Sequence, residues 1–173
     1  MLSSAHHPCQ ALADLLTLKQ EFGRLEGLTV AYVGDGNNVA RSLAVLGTQA
    51  GISLAVAAPH GHQLEALPGV RLTDDPFDAV RGANAVYTDA WVSMNDPPHE
   101  TDARRQALRP YQLNEELLAA AAPGAIALHC LPAHAGEEIT EQVLYGDRQR
   151  IWDQAENRRH AQKALLELLC RQD

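Results

Sequence analysis

Cysteine is scarce in this sequence, and its spacing matches neither a disulfide framework nor a metal site. Only Cys9, Cys130 and Cys170 occur among 173 residues, and no two of them form a CxxC pair. An odd number at wide spacing argues against a disulfide framework and favours a reducing compartment, so we expect a cytoplasmic protein. None of the eight histidines belongs to an HExxH ligand set. We therefore expect neither a metal nor another cofactor.

An excess of positive charge and long apolar runs are also missing. Lysine and arginine number 14 against 22 acidic residues, which gives a net charge of −8. This balance argues against nucleic acid and anionic membranes as partners. No apolar run approaches the ~20 residues of a membrane span, and the first residues lack the basic and apolar regions of a signal peptide. Because these residues also lack a strand or a helix cap, we expect the chain to begin partway through a larger protein.

Strand and helix patterns alternate along the rest of the chain. Strands separated by helices of about 10 to 15 residues indicate βαβ units. We therefore predict a single α/β domain over residues 1–173, Rossmann-like and three-layered, with a mainly parallel sheet of about five strands and helices on both faces. The strands are predicted at 28–33, 52–57, 70–72, 85–88, 125–128 and, as a last short one, 149–152; the helices are predicted at 8–22, 39–50, 78–82, 102–108, 114–121 and 155–170.

The last predicted helix carries an apolar stripe with the i, i+3, i+4, i+7, i+8 spacing of one helix face. Such a stripe is expected to be buried, either against the sheet or against a partner domain. The sequence does not choose between the two. The stripe consists of Ala161, Ala164, Leu165, Leu168 and Leu169.

A glycine turn follows the first predicted strand and opens a helix, as in dinucleotide-binding folds. The full G-x-G-x-x-G pattern fails, however, because Val39 stands where the third glycine belongs, and no acidic residue ends the second strand. A nucleotide-dependent oxidoreductase is therefore disfavoured. Two interpretations remain for residues 34–38: an anion site at a helix N-terminus, or an asparagine helix cap.

Polar side chains also follow the fourth predicted strand. Asp89 could pair with an ammonium group, Ser93 could add a hydroxyl contact, and Met94 offers apolar surface for an aliphatic chain. A helix cap followed by ordinary packing explains the same residues. The motif alone leaves both open.

The tetrapeptide His129-Cys130-Leu131-Pro132 ends the fifth predicted strand, where open α/β sheets usually carry their chemistry. The thiol could be a nucleophile with His129 or His134 as its base. The loop could instead contribute backbone carbonyls, or the cysteine could be structural and buried. Taken singly, Arg158 suits a solvated surface charge, and His7 with Gln10 suits a helix cap.

In combination and in this order, five motifs resemble the carbamoyltransferase family, and within it the amino-acid-binding half of its ornithine-specific members. The motifs are H-P-x-Q, D-G-N-N, D-x-W-x-S-M, H-C-L-P and E-N-R, which begin at residues 7, 35, 89, 129 and 156. The resemblance implies transfer of a carbamoyl group from carbamoyl phosphate to the δ-amine of ornithine, in arginine biosynthesis. It also implies a second, carbamoyl-phosphate domain, trimeric assembly, and inter-domain helices at residues 1–24 and 155–173.

The resemblance assigns five residues to carbamoyl phosphate. His7 would reach its carbonyl oxygen and Gln10 its amide, while the backbone carbonyls of Cys130 and Leu131 would accept from its NH₂ group. Arg158 would polarise the carbamoyl oxygen. His7, Cys130 and Arg158 are the expected catalytic residues.

The resemblance assigns another group of residues to ornithine. Asn38 would lie at the α-carboxylate, and Asp89, Ser93 and the Met94 backbone would hold the α-amino end. Cys130 would stand beside the δ-amine as candidate proton acceptor.

Two positions depart from the family pattern, so the resemblance leaves more than one amine as a candidate substrate. Asn95 stands where glycine is usual, and Ala135 stands where arginine is common. Putrescine or an acylated ornithine is therefore an alternative substrate, and a non-catalytic amino-acid-binding module is an alternative function. The family's Ser-Thr-Arg-Thr phosphate loop is absent from these residues, so we expect the isolated chain to be inactive.

Overall fold

Five parallel strands form one sheet in the order β3-β2-β1-β4-β5. The computed structural model describes residues 2–92, 99 and 101–171. Four of the strands are almost wholly buried, as expected for continuous apolar runs covered on both faces. The strands are β1 (Thr29–Val33), β2 (Ser53–Ala57), β3 (Val70–Thr73), β4 (Ala85–Thr88) and β5 (Ile126–His129).

Helices connect the strands except β2 and β3, which a loop joins, and side-chain caps fix where several of the helices begin. Asn37, Asp75, Asn114 and Thr140 each accept backbone N–H groups at a helix N-terminus. A short 3₁₀ turn follows the fourth helix. The helices are α1 (Pro8–Phe22), α2 (Asn38–Gln49), α3 (Pro76–Val80), α4 (Thr101–Leu108), α5 (Glu115–Ala119), α6 (Glu141–Leu144) and α7 (Ile151–Cys170).

The two faces of the sheet build two apolar cores. Val30 and Tyr32 of β1 point to the core that also contains residues of α1 and α2. Ala31 and Val33 point to the opposite core, which contains residues of α3, α5 and α6. This alternation follows from the period of two along a strand. The predicted three-layer α/β architecture with a parallel sheet of five strands is confirmed.

The strand order reverses beside β1. Its neighbours are β2 on one side and β4 on the other, so successive crossovers run in opposite directions from this point. The crevice at the carboxyl ends of such strands is the usual binding position in open α/β sheets. The Gly34 turn after β1, Asp89 after β4 and Cys130 after β5 all lie at this edge.

The predicted strand at 149–152 is wrong. Gln149 makes only an isolated parallel bridge to Ala127. The side-chain carbonyl of Gln149 instead accepts the Ile151 amide at 2.8 Å, and α7 starts at that residue. The last helix therefore begins four residues before the predicted position. Helix α3 also starts earlier than predicted, at the Asp75-Pro76 cap, and α6 was not predicted.

Helix α7 differs between its two halves. Its first half buries Ile151, Gln154 and Asn157, and the helix packs along α1. Its last turns leave Leu168 61% and Leu169 54% exposed. Burial of the apolar stripe against the sheet is therefore excluded. No helix within the described residues has the length and apolarity needed to cross a membrane.

Candidate active site at the carboxyl edge of the sheet

Cys130 and Asp89 are in direct contact at the ends of two neighbouring strands. The Cys130 thiol donates to Asp89, with 2.7 Å between Sγ and Oδ1. The other Asp89 oxygen accepts from the Asn37 amide at 2.7 Å. Because β4 and β5 pair in parallel, residues 88 and 129 are register partners. The residues that follow them are consequently held side by side.

The Cys130 thiol is neutral. Burial raises its pKa well above the ordinary value, and the Asp89 carboxylate adds to the rise. A negative charge on sulfur would be desolvated and would lie beside another anion, and both effects favour the protonated form. The resting pair is therefore a thiol donating to a carboxylate.

The loop after β5 is held by His129. Its Nδ1 accepts the Leu131 amide at 2.8 Å, so its Nε2 carries the proton and donates to Glu138 at 3.1 Å. Leu131 has a φ of 59°, in the left-handed region, and the Leu131–Pro132 peptide is cis. The bond to His129 holds Leu131 in a conformation that is costly for a residue with a Cβ atom.

Glu138 completes this support from a fully buried position. Burial alone would raise its pKa, but hydrogen bonds from His129 and the His134 amide outweigh that effect and lower it. The carboxylate is therefore charged, and it ties two points of the residue 129–134 loop to one group.

A second cluster lies where α1 packs on α7. The Arg158 guanidinium donates to Gln10 Oε1 at 2.7 Å. The Gln10 amide donates to Asp14 Oδ1 at 2.8 Å, and the same oxygen accepts from Gln154 at 2.6 Å and from Tyr87 at 3.2 Å. Burial raises the pKa of Asp14 to about 7, although these three hydrogen bonds oppose the rise.

His7 lies beside the same cluster. Its backbone N–H donates to the Ser42 hydroxyl at 2.7 Å, while its side chain caps nothing and its Nδ1 is buried without a partner. Burial and the neighbouring Arg158 lower its pKa, so the imidazole is neutral. His7, Arg158 and Gln162 share a cavity of about 270 Å³. A neutral imidazole beside a guanidinium suits a polar, electron-rich ligand.

The two clusters are joined. The backbone N–H of His129, directly before Cys130, donates to Gln154 Oε1 at 2.9 Å. Gln154 is one of the three donors to Asp14. The Cys130 strand end and the Arg158 guanidinium are therefore linked through one carboxyl group.

The glycine turn is an asparagine cap, and the capping residue is Asn37. Its Oδ1 accepts from the Val39 and Ala40 amides at 2.9 and 3.2 Å, which leaves those donors occupied. Asn38, the residue assigned to the amino-acid carboxylate, instead donates to the Ser3 carbonyl at 2.7 Å. Ser93 and Met94 lie outside the described residues.

Gly36 explains why this turn needs glycine. A Cβ atom there would stand 2.2 Å from the backbone nitrogen of Leu64. The Gly36 amide also donates to the His62 carbonyl at 2.7 Å. The requirement is therefore close backbone approach rather than room for a phosphate.

One group of side chains has the composition of a metal site. Single ligand atoms of Asp89, His129 and Cys130 lie within 4.8 Å of one another. Both nitrogens of His129 are already engaged, however, by Leu131 and Glu138. A metal would have to displace the bonds that hold the loop, so the resting geometry does not fit one.

Sequence reasoning missed four residues that hold the site: Asp14, Asn37, Gln154 and Glu138. The asparagine-cap interpretation of residues 34–38 was the usable signal for Asn37, because α2 begins at Asn38, one residue before the predicted start. Asp14 stands four residues after Gln10 within the predicted first helix, so it shares a helix face with an assigned residue, and that spacing could have suggested it. Gln154 precedes the helix predicted at 155–170, and only the observed start of α7 at Ile151 places it one turn before Arg158.

Comparison with known proteins assigns the domain. A sequence model described as "Aspartate/ornithine carbamoyltransferase, Asp/Orn binding domain" matches residues 26–169. Relatives named "Ornithine carbamoyltransferase" include those of Synechocystis, 54% identical, and Gloeobacter violaceus, 51% identical. The alignments cover 95% and 97% of this chain but 57% and 58% of the relatives. The chain thus spans little more than half the length of these relatives.

Solved structures agree. The ornithine carbamoyltransferase of Gloeobacter violaceus superposes with a TM-score of 0.84 at 49% identity, covering 94% of this chain and 58% of that one. The enzyme of Pyrococcus furiosus gives a TM-score of 0.90 at 44% identity, covering 95% and 56%. With the fold, the motifs and the family match in agreement, the chain belongs to the aspartate/ornithine carbamoyltransferase family, whose Asp/Orn-binding domain it carries.

Proposed function

We propose that this chain is the amino-acid-binding half of an ornithine carbamoyltransferase. The reaction transfers the carbamoyl group of carbamoyl phosphate to the δ-amine of L-ornithine and yields L-citrulline and phosphate. The observation that carries the proposal is the Cys130–Asp89 pair, 2.7 Å apart at the point where the sheet reverses its strand order. The names of the relatives supply the substrate class.

We assign the ornithine side of the crevice to Asp89, with Ser93 and the Met94 backbone at the α-amino end. The carboxylate of Asp89 is oriented by Asn37 and Cys130, so its charge is fixed in position before a cation arrives. Asn38 takes the neighbourhood of the α-carboxylate. This role requires its amide to exchange the Ser3 carbonyl for the ligand.

We assign the carbamoyl-phosphate side to Arg158, Gln10, His7 and the carbonyls of Cys130 and Leu131. As the amine attacks the carbonyl carbon, negative charge develops on oxygen, and a fixed guanidinium stabilises it. Neutral His7, whose Nδ1 is buried without a partner, lines the same cavity as Arg158. The left-handed backbone at Leu131 turns its peptide out of the strand direction.

Proton transfer takes place at the Cys130–Asp89 pair in this proposal. The resting thiol is neutral and cannot accept a proton directly. The positive charge of bound ornithine offsets the repulsion from Asp89 and lowers the pKa of the thiol. The thiol passes its own proton to Asp89 Oδ1 along the 2.7 Å hydrogen bond, and the sulfur accepts the proton that the neutral δ-amine loses after it has attacked. Positioning and electrostatics therefore supply the chemistry without a covalent enzyme intermediate.

We further propose that a carbamoyl-phosphate domain with a Ser-Thr-Arg-Thr loop completes the enzyme. The helices at residues 1–24 and 155–173 would link the two domains. The exposed leucines at the end of α7 support an inter-domain position for that helix. We expect a cytoplasmic homotrimer or a multiple of trimers, in keeping with three unpaired cysteines.

Steady-state citrulline formation tests the function. We expect the full-length enzyme that contains these residues to convert carbamoyl phosphate and ornithine, and the 173-residue chain alone to show no meaningful turnover. Preference for putrescine or N-acetylornithine would redirect the substrate, since Asn95 and Ala135 depart from the family pattern. Ornithine binding without turnover in the full-length enzyme would favour a binding module and contradict the proposal.

A further inference from the structure

Asp14 is a buried acidic residue that no assigned role uses. It is fully buried on α1, and one of its oxygens, Oδ1, accepts all three of its hydrogen bonds. Its other oxygen, Oδ2, is buried without a partner. A carboxyl group in such a place is costly, because burial removes its hydration and only one oxygen is compensated. Ordinary packing would favour an apolar residue here.

The three donors to Asp14 come from three different elements. Gln10 belongs to α1, Gln154 to α7 and Tyr87 to β4. The side-chain amides of Gln10 and Gln154 each have one NH₂ group and one oxygen. An acceptor at Asp14 therefore determines which way each of these two amides faces. With its NH₂ group on Asp14, each glutamine must present its oxygen on the far side.

Both of those oxygens face groups of the site. Gln10 Oε1 accepts from the Arg158 guanidinium at 2.7 Å, and Gln154 Oε1 accepts from the His129 amide at 2.9 Å. If either amide were reversed, its NH₂ group would face a donor and the bond would be lost. Asp14 Oδ1 thus determines the donor-to-acceptor direction in two series of hydrogen bonds. One series runs through Gln10 to Arg158, and the other runs through Gln154 to the His129 amide.

We propose that Asp14 is a positioning residue that orients the Gln10 and Gln154 amides and thereby fixes the Arg158 guanidinium and the strand end before Cys130. The proposal rests on the proposed function, since it takes the guanidinium to act on the carbamoyl group. Asp14 itself touches no reacting atom. Its effect on catalysis is transmitted entirely through the two glutamines.

The chain offers a matched control one turn along the same interface. Thr17 is also buried on α1, where its hydroxyl donates to the Ala13 carbonyl and accepts from Asn157 of α7. It contacts neither glutamine through any of these bonds. Thr17→Val therefore removes a buried polar link between α1 and α7 without breaking either series of hydrogen bonds from Asp14.

Kinetics of the full-length enzyme give the first test. We expect Asp14→Leu to lower kcat about 100-fold and to leave the KM for ornithine within about threefold, because the guanidinium acts mainly on charge that develops in the transition state. Asp14→Asn keeps the acceptor oxygen and should hold kcat within about fivefold of wild type. Thr17→Val should retain nearly full kcat. A kcat for Asp14→Leu within threefold of wild type, or no better for Asp14→Asn than for Asp14→Leu, would overturn the proposal.

A second test needs no activity and separates this proposal from the function. Exchange of the Gln10 and Gln154 side-chain amide hydrogens with water can be followed by NMR on the 173-residue chain. We expect Asp14→Leu to accelerate both at least tenfold, and Asp14→Asn and Thr17→Val to leave both within about threefold, because only the first removes the acceptor. Unchanged exchange in Asp14→Leu would contradict the positioning role even if citrulline formation is confirmed.

If Asp14→Leu does not fold, Gln154→Met interrupts one of the two series of hydrogen bonds at its other end. The substitution keeps the length of the side chain and removes both the donor to Asp14 and the acceptor for His129. We expect kcat of the full-length enzyme to fall about tenfold. Wild-type kcat in Gln154→Met would overturn the proposal that Asp14 acts on the strand end before Cys130 through Gln154.

Discussion

The interior of this protein is of two kinds. Around the sheet it is almost entirely apolar, with tyrosine and aliphatic side chains packed on both faces. Between α1 and α7 it is polar, and Gln10, Asp14, Thr17, Gln154 and Asn157 are all buried. Polar side chains stabilise an interior less efficiently than apolar ones because their hydration has to be replaced. The apolar region accounts for the fold and for the pairing of Cys130 with Asp89, and the polar region accounts for the position of Arg158.

The largest effect is expected in the apolar region. Leu128 of β5 is fully buried in the core shared with α1 and α2. Leu128→Ala should lower the free energy of unfolding by roughly 3–5 kcal/mol because it leaves a cavity between sheet and helices. Urea denaturation of the chain measures this. Leu169→Ala, on the exposed end of α7, is the control and should change stability by less than about 0.5 kcal/mol. Equal losses of unfolding free energy in Leu128→Ala and Leu169→Ala would contradict the claim that the apolar region accounts for the fold.

Asp14 in the polar region should make the protein less stable as pH rises, whereas most paired carboxylates make a protein more stable as pH rises. The native pKa of Asp14 is about 7, whereas the unfolded chain releases this proton near pH ~4. The native state therefore binds more protons between these values, and stability falls as pH rises through them. Asp14→Asn should remove this loss, so its stability relative to wild type should increase by roughly 2–4 kcal/mol from pH 4 to 8. Denaturation at several pH values is the measurement, and a constant difference would refute the buried neutral carboxyl.

Loss of the guanidinium should affect turnover rather than folding. Arg158 is only partly buried and donates to Gln10. In the full-length enzyme Arg158→Ala should lower kcat about 100-fold, equivalent to ~2.7 kcal/mol of transition-state stabilisation. Arg159→Ala, whose side chain is exposed and paired only with Glu156 in the described contacts, is the matched control. Near-normal turnover of Arg158→Ala would remove this residue from the mechanism.

Glu138 should give a smaller, acid-sensitive effect. Its pKa is lowered in the native state, so its contribution to stability is present above the unfolded pKa and is lost as pH falls through the native one. Glu138→Gln should cost about 1–3 kcal/mol at pH 7 because the charged bonds to His129 and the His134 amide become neutral ones. The difference from wild type should shrink below about pH 4. A difference that persists undiminished in acid would mean that the carboxylate charge is not what stabilises the loop.

The sequence predicted the apolar region well because its signals are local. The runs at 28–33, 52–57, 85–88 and 125–128 are continuous and bounded by glycine, proline or polar residues, and all four are strands. The run at 149–152 resembled them, but a single glutamine side chain ends it and starts a helix. That bond depends on a tertiary arrangement that no local pattern encodes.

The polar region was predicted only where a motif marked it. Gln10 and Arg158 entered through H-P-x-Q and E-N-R, whereas Asp14 resembled an ordinary helix residue and Gln154 lay between the last predicted strand and the last predicted helix. Their importance arises because α1 and α7, about 140 residues apart in sequence, pack together. All the assigned site roles stay predictions, and Ser93 and Met94 lie outside the described residues. Asn37, not Asn38, is the residue that the structure connects to Asp89.

Protection of the Cys130 thiol tests the central claim most directly. Alkylation by iodoacetamide can be followed peptide by peptide in the full-length enzyme, with buried Cys9 and exposed Cys170 as internal references. If ornithine occupies the crevice beside Asp89, its side chain covers the Cys130 sulfur, and this steric protection outweighs the lowered pKa of the thiol. Saturating ornithine with carbamoyl phosphate should then slow labelling of Cys130 at least tenfold and leave Cys170 unchanged. Labelling of Cys130 at the same rate with and without the ligands would contradict the account.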